Sequence, residues 1–370
     1  MTAYFEGTNA ELIRKAIVTG LISHENVSLV GMPGCGKTDI AVAIGRVILP
    51  SDQRHLWEIT QSTEKEYLVG GIDYTKAAQG IFETNKTGTI HDLMIHYGIL
   101  DEAARGGDPI FDEFIHGLLN PLIPRDEQAI FIATNNFVPK NERSEAMVDR
   151  IALWEHLPYE RVCRAVIDSQ LGNMNSQPQV RGFIPKWSDC EAVWQSSLGP
   201  KAIKCLGDFI DSIQDEAAQY TKMPFLVNNR RTRQWSRIFG RVGTFFSGSN
   251  DFSTLPKEVI DAARIAWPTH DDVEAACWKE IVNAMADPLQ LVIDEKLALA
   301  YADFKSLWAN VASSSQRAAA IPKLGERNNE WQEKILQDAA GDPRGDAAVE
   351  QLSGIYFSLC QGKSMDEVFG

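Results

Sequence analysis

Residues 31–38 read GMPGCGKT, a G-x-x-x-x-G-K-[ST] run whose residue types and spacing suit the holding of phosphate. Gly31, Gly34 and Gly36 let the backbone turn tightly and aim its N–H groups inward. The N-terminus of a following helix adds partial positive charge there. Lys37 is placed to neutralise β- and γ-phosphate oxygens, and the Thr38 hydroxyl to complete the coordination of Mg²⁺, an ion that takes few protein oxygens. Pro33, Cys35 and Asp39 line the same run and count among the candidate nucleotide contacts. A chance glycine turn is the plain alternative. The apolar approach (Val27, Leu29, Val30) and the helical pattern that follows (Ile40, Ala41, Ile44, Val47) instead place the run between a strand and a helix, as a triphosphate cradle requires.

Such a cradle needs a second, acidic element to hold Mg²⁺ and the attacking water. Two Asp-Glu pairs compete. Asp112–Glu113 follows Asp108 and Pro109, which read as an N-cap and first helical residue, and Phe111, Phe114, Ile115 and Leu118 recur at helical spacing. Asp101–Glu102 instead ends the short β-like run Tyr97–Leu100, which would bring both carboxylates to the C-terminal edge of a sheet, where open α/β sheets bind ligands. The metal-holding role is therefore assigned to Asp101 and the water-polarising role to Glu102, with a solvated acidic turn as the bland reading. A third element is the buried-strand pattern of residues 129–134 ending in Asn135 and Asn136. An amide at that tip could orient water, and Asn135 could equally be a loop cap.

Other polar residues carry less. The histidines, His91 and His96 among them, form no metal-ligand motif, and the six cysteines show no C-x-x-C. Cys35 within the cradle could be oxidation-sensitive, though a passive small residue is the simpler reading. Asn85–Gly88 only faintly evokes a guanine reader and lacks its Asp, so ATP is expected rather than GTP.

Positioning these groups takes an alternating scaffold. Strands are predicted at 26–31, 55–60, 97–101, 128–135 and 151–157, and helices at 10–21, 38–48 and 109–119, an alternation that implies a parallel sheet covered by helices. Beyond Pro158 strand signals vanish. Helical patterns follow at 190–195, 202–220, 230–246, 256–267, 271–285, 291–311 and 328–338, with a polar, irregular stretch at 169–189. The division predicted is 1–158 as an α/β nucleotide-binding domain, 159–189 as linker or loop, 190–287 as a helical lid and 288–370 as a helical extension. Arg230, Arg233, Arg237 and Arg241 share one helical face, read as mainly solvated or intersubunit, with one end able to touch phosphate. The net charge of −14 argues against wholesale coating of nucleic acid, and no run approaches 18 apolar residues, so a cytoplasmic protein without a membrane span is expected.

In order along the chain, Thr63, Glu64 and Gly70, then ILDEAARG, IFDEFIHGLLN, FIATNN, SEAMVDRIALWEHL, VNNRRTRQWSRIFGRVGTFFSG and IAWPTHDDVEAACW resemble the MoxR group of AAA+ ATPases, and within it the RavA branch, over roughly residues 8–287. The resemblance implies a P-loop AAA+ parallel sheet of order 5-1-4-3-2 sandwiched by helices, followed by an all-α lid and a helical C-terminal extension. It implies ATP and Mg²⁺ as cofactors, a ring homo-oligomer of six subunits, and a client protein remodelled or loaded with a cofactor, often with a von Willebrand factor A domain partner. It makes Asn135 sensor 1, Arg150 the finger on the neighbouring subunit's nucleotide and Arg230 sensor 2, with Arg231 in near register. On residue type alone, Arg150 beside Asp149 could be a local salt bridge. A DNA-associated AAA+ motor or a nucleotide-gated binding module is the alternative function.

Overall fold

In the computed structural model the described residues are 4–5, 8–81, 85–105, 129–137, 151–159, 179–220, 225–285, 288–309, 314–364 and 367–368. The predicted helix at 109–119, with Asp112–Glu113, lies outside them, as does Arg150. Two compact units are present, Met1–Val282 and Asn283–Gly370.

The first unit starts with β1 (Tyr4–Phe5), α1 (Thr8–Ser23), β2 (Val27–Val30), α2 (Lys37–Ile48) and β3 (Arg54–Glu58). Two short helices, α3 (Lys65–Val69) and α4 (Tyr74–Ala77), precede β4 (Tyr97–Asp101), β5 (Ile130–Asn135), β6 (Leu153–His156) and β7 (Gln179–Val180). Five strands form one parallel sheet in the order β3-β4-β5-β2-β6. Numbering only these five along the chain, the order from the β6 edge is 5-1-4-3-2, as the resemblance implies. β2 and β5, at its centre, are buried along their whole length, which is why they read as continuous apolar runs. Gly98, a weak strand residue in isolation, is required in β4: a Cβ there would stand 2.7 Å from the Phe131 ring and 2.9 Å from Trp57. Those rings join Leu100, Ile151 and Trp154 in the core over one sheet face.

β1 and β7 pair in parallel, so the stretch predicted as linker contains a two-residue strand that composition did not reveal. The helical part follows as α5 (Trp187–Trp194), α6 (Pro200–Gln219), α7 (Asn229–Ser247), α8 (Lys257–Ile265) and α9 (Asp272–Met285). Asn228 caps α7 by accepting the Arg231 N–H at 2.9 Å. Trp235, Trp267 and Trp278 stack behind it. The helices are tied to the sheet layer at two places. At the C-terminal end of α1, Arg241 donates to Ser23 O at 2.8 Å, Trp194 Nε1 to Leu21 and Ile22 carbonyls, and Arg237 pairs with buried Glu25 at 2.8 Å. Donors there satisfy helix-end carbonyls. At β6, Lys279 pairs with Glu155 at 2.7 Å, while the His156 ring faces Asp272 Oδ1 at 2.6 Å and Thr269 O at 2.9 Å. On the arginine face, Arg237 and Arg241 are engaged within the chain, Arg237 with its side chain still 41% exposed.

The second unit is α10 (Pro288–Ala309), α11 (Ser314–Asp338) and α12 (Pro343–Cys360) around Phe304, Leu324, Ile335 and Leu352. No described helix is long and apolar enough to cross a membrane.

Candidate functional site

The cradle forms because β2 ends at Val30 and α2 begins at Lys37, leaving six residues to reverse direction at the C-terminal edge of the sheet. Gly34 and Gly36 take φ of +83° and +82°, a left-handed backbone that side-chain-bearing residues rarely adopt. Gly31 N–H donates to Asn135 O at 3.1 Å, tying the start of the loop to β5. Pro33 and Gly34 are exposed, Cys35 and Gly36 partly so, and Asp39 is exposed on the first turn of α2. Lys37 is 6% exposed. Its ammonium donates to Gly31 O at 2.8 Å and Met32 O at 3.0 Å, with Asn136 Oδ1 at 3.2 Å.

β4 brings the acidic pair beside the cradle. Thr38 Oγ1 donates to Asp101 Oδ1 at 2.5 Å, and Thr134 Oγ1 donates to the same oxygen at 2.6 Å. A hydroxyl and a carboxylate in contact, facing a glycine-rich loop at a helix start, are a donor set of hard oxygens that fits Mg²⁺ beside a polyphosphate. Glu102 has φ of +57°, one of two described non-glycine residues with positive φ. Backbone strain of this kind, of order 1–3 kcal/mol, persists where neighbours hold it. Here Thr134 Oγ1 accepts the Glu102 N–H at 3.3 Å, and Arg105 N–H returns to Glu102 O at 2.8 Å. The Glu102 carboxylate is 23% exposed, accepts from Asn136 Nδ2 at 2.5 Å and pairs with Arg105 at 3.0 Å.

The two amides at the β5 tip separate because Asn135 is the last strand residue and Asn136 stands in the bend after it. Asn135, 1% exposed, accepts Ala104 N–H at 2.8 Å and turns Nδ2 to Ser28 Oγ at 3.5 Å. Asn136, one residue on, is the amide that touches both Lys37 and Glu102. Sequence reasoning passed over Asn136 and Thr134, although the two-residue period puts them on one face. The two arginines at the start of α7 separate as well. Arg230 is exposed at the start of α7. Arg231 is 8% exposed, lies 4.3 Å over the Trp267 ring and, through burial offset by Glu274, has its pKa pushed down to about 10. The cradle, the acidic pair and the tip amides therefore meet at one sheet edge.

Residues 5–176 match the family model bpMoxR, the MoxR domain in the MoxR-vWA-beta-propeller ternary systems. The RavA branch is not specified by that match. No curated protein matches the chain. A solved structure from Cytophaga hutchinsonii ATCC 33406, which carries a provisional ATPase designation, is similar at a TM-score of 0.51 and 16% identity over 75% of this chain and 91% of that one. At that identity the likeness speaks for the fold. The sheet order, the cradle and the family match agree in making residues 5–176 similar to the MoxR domains of AAA+ ATPases.

Proposed function

We propose that the chain is a Mg²⁺-dependent ATP hydrolase that works as a ring, a hexamer, and spends hydrolysis on remodelling a client protein or inserting its cofactor. The observation that carries this reading is the meeting of Lys37, Thr38, Asp101, Glu102 and Asn136 at the C-terminal ends of β2, β4 and β5. In this mechanism the loop N–H groups and the N-terminus of α2 receive the phosphates of ATP, and Lys37 exchanges the carbonyls of Gly31 and Met32 for phosphate oxygens. Thr38 and Asp101 would hold Mg²⁺, which would neutralise phosphate charge there. Glu102 accepts the proton of a water that attacks the γ-phosphorus as the bond to the ADP oxygen breaks. Asn136 orients that carboxylate, and Asn135, which the resemblance makes sensor 1, lies beside it. Arg230 reaches from the lid as sensor 2, its exposure at the start of α7 favouring it over Arg231, and Arg150 serves a neighbour's nucleotide. The division into nucleotide-binding domain, linker, lid and extension is kept as part of this reading.

The family description supplies the partner class: a von Willebrand factor A domain protein, with a β-propeller protein beside it. A cytoplasmic setting fits such assemblies. A DNA-motor role draws no support from the basic face of α7, whose Arg237 and Arg241 are already engaged. Calorimetry with Mg²⁺-ATP and a phosphate-release assay test the proposal. Glu102→Gln is expected to bind ATP with nearly parental affinity and lose about 10²-fold or more of turnover, and Lys37→Ala to lose binding. Absence of ATP binding by the intact chain overturns it.

A further inference from the structure

At the opposite, N-terminal ends of β3 and β4, a cleft of about 220 Å³ lies between the sheet and the last turns of α2. Along β4 the strand rise sets Tyr97 about 13 Å from Asp101, and Ile99, the lining residue of that strand nearest the acidic pair, about 7 Å from it. Val42, Leu56 and Ile99 supply apolar walls. Tyr97 closes one side, its hydroxyl already committed to Ala41 O at 3.0 Å.

The polar lining is cationic. Arg46 and Arg54 both reach the cleft, and none of its lining residues is acidic. Arg46 stands in the last turn of α2, where its charge opposes the partial negative end of the helix. Arg54 has no such helix to serve. Its Nε is shut off from solvent without a hydrogen-bond partner among the described residues. A buried charged donor left in this state is costly, and an oxyanion removes the cost. His55 does not compete for that anion as a cation: burial lowers its pKa, against a smaller opposing pull from Asp92, so its ring is neutral at pH 7.

We propose that this cleft is a second binding site, separate from the phosphate cradle, for a small carboxylate carrying an apolar body. A guanidinium edge pairs with a carboxylate through parallel N–H donors, and the walls around Val42, Leu56 and Ile99 take the body. The volume, below the ~300–1,000 Å³ of drug-sized sites, sets the ligand at fragment size, a carboxylate on one ring or a short branched chain. Inorganic phosphate satisfies Arg54 and leaves the walls unused.

Benzoate is the probe, titrated calorimetrically into the full chain with saturating Mg²⁺-ATP present, beside a phosphate titration. Benzoate is expected to bind with Kd on the order of 1 mM. Arg54→Met weakens it about tenfold or more, and Val42→Phe does the same by filling the cleft, so misfolding of one variant leaves the other to decide. Benzoate heat untouched by both substitutions overturns the site. Competition between benzoate and ATP overturns its separateness from the cradle, and phosphate binding without benzoate binding overturns the ligand class.

Discussion

Asn135 ends β5 and Asn136 stands in the bend just after it, so the two amides turn to different partners, and we propose that this divides stability from chemistry. Asn135 holds the Ala104 N–H inside the turn after the acidic pair. Asn136 bridges the Lys37 ammonium and the Glu102 carboxylate. Asn136→Ala is therefore expected to lower kcat on the order of tenfold to a hundredfold through misplacement of Glu102, with ATP affinity and unfolding free energy little changed. Asn135→Ala leaves a buried N–H unpaired and is expected to cost ~1–3 kcal/mol in denaturant unfolding. If Asn135→Ala is as stable as the parent while Asn136→Ala turns over normally, the division fails. The cradle itself was legible because its chemistry is local: eight consecutive residues carry the turn, the charge and the hydroxyl. The choice between two neighbouring amides was not, because it depends on which face of β5 meets residues 102–104, a matter of tertiary register that either amide satisfies on paper.

Among the elements, β2, β4 and β5 could be read from apolar runs, since burial on both faces removes any competing pattern. The later helices show where that reading stops. α11 was predicted only from 328 because Pro322 and Gly325 break the pattern, and neither ends the helix, which runs from Ser314. α12 was missed although its start carries clear signals, Asp342 accepting the Arg344 N–H with Pro343 at the first helical position. The partners of Arg237 and Arg241 were beyond reach, lying some two hundred positions away at Glu25 and Ser23. The Glu155–Lys279 pair between β6 and α9 belongs to the same class of long-range fact, and it sets a pH-dependent test. Burial pushes the Glu155 pKa up, with Lys279 pulling it partly back. Lys279→Met removes that pull, raising the folded pKa further above the unfolded value. With a raised folded pKa, the cost of ionising the buried carboxyl is absent below the unfolded pKa, grows as pH rises from there toward the folded pKa, and levels off above it; the further Lys279→Met raises that folded pKa, the further the cost grows. The Lys279→Met deficit against the parent should therefore reach ~3–5 kcal/mol near pH 8 and shrink toward pH 5. Thermal or denaturant unfolding of both proteins across that range checks it, and a deficit independent of pH refutes the account. Glu155→Leu with Lys279→Met, which removes both charges, is expected to recover most of the loss.

For the whole molecule, the sheet and the helices through Val282 form one compact unit with a shared set of ties, and Asn283–Gly370 forms another with its own core. The tie at β6 sits at the end of the segment that follows Arg150, so a finger acting on a neighbour's nucleotide would report to its own lid through Glu155 and His156. This is a statement about an assembly and needs a test that a single chain cannot pass. Glu102→Gln keeps Arg150 and lacks the base, whereas Arg150→Ala keeps the base and lacks the finger. Each alone should be nearly inactive, since a finger supplied in trans is worth ~10³–10⁵ in rate. Mixed before ring formation, they complement: an Arg150→Ala subunit regains turnover wherever its finger-donating neighbour is Glu102→Gln. In a randomly mixed closed ring at equal amounts, that arrangement occupies about one quarter of the sites, so turnover should climb to about one quarter of parental. Recovery should vanish when either variant also carries a block to assembly. A finger acting on its own subunit's nucleotide, or no finger at all, leaves the mixture at the average of two inactive proteins at every ratio, and phosphate release measured across the mixing series separates these outcomes.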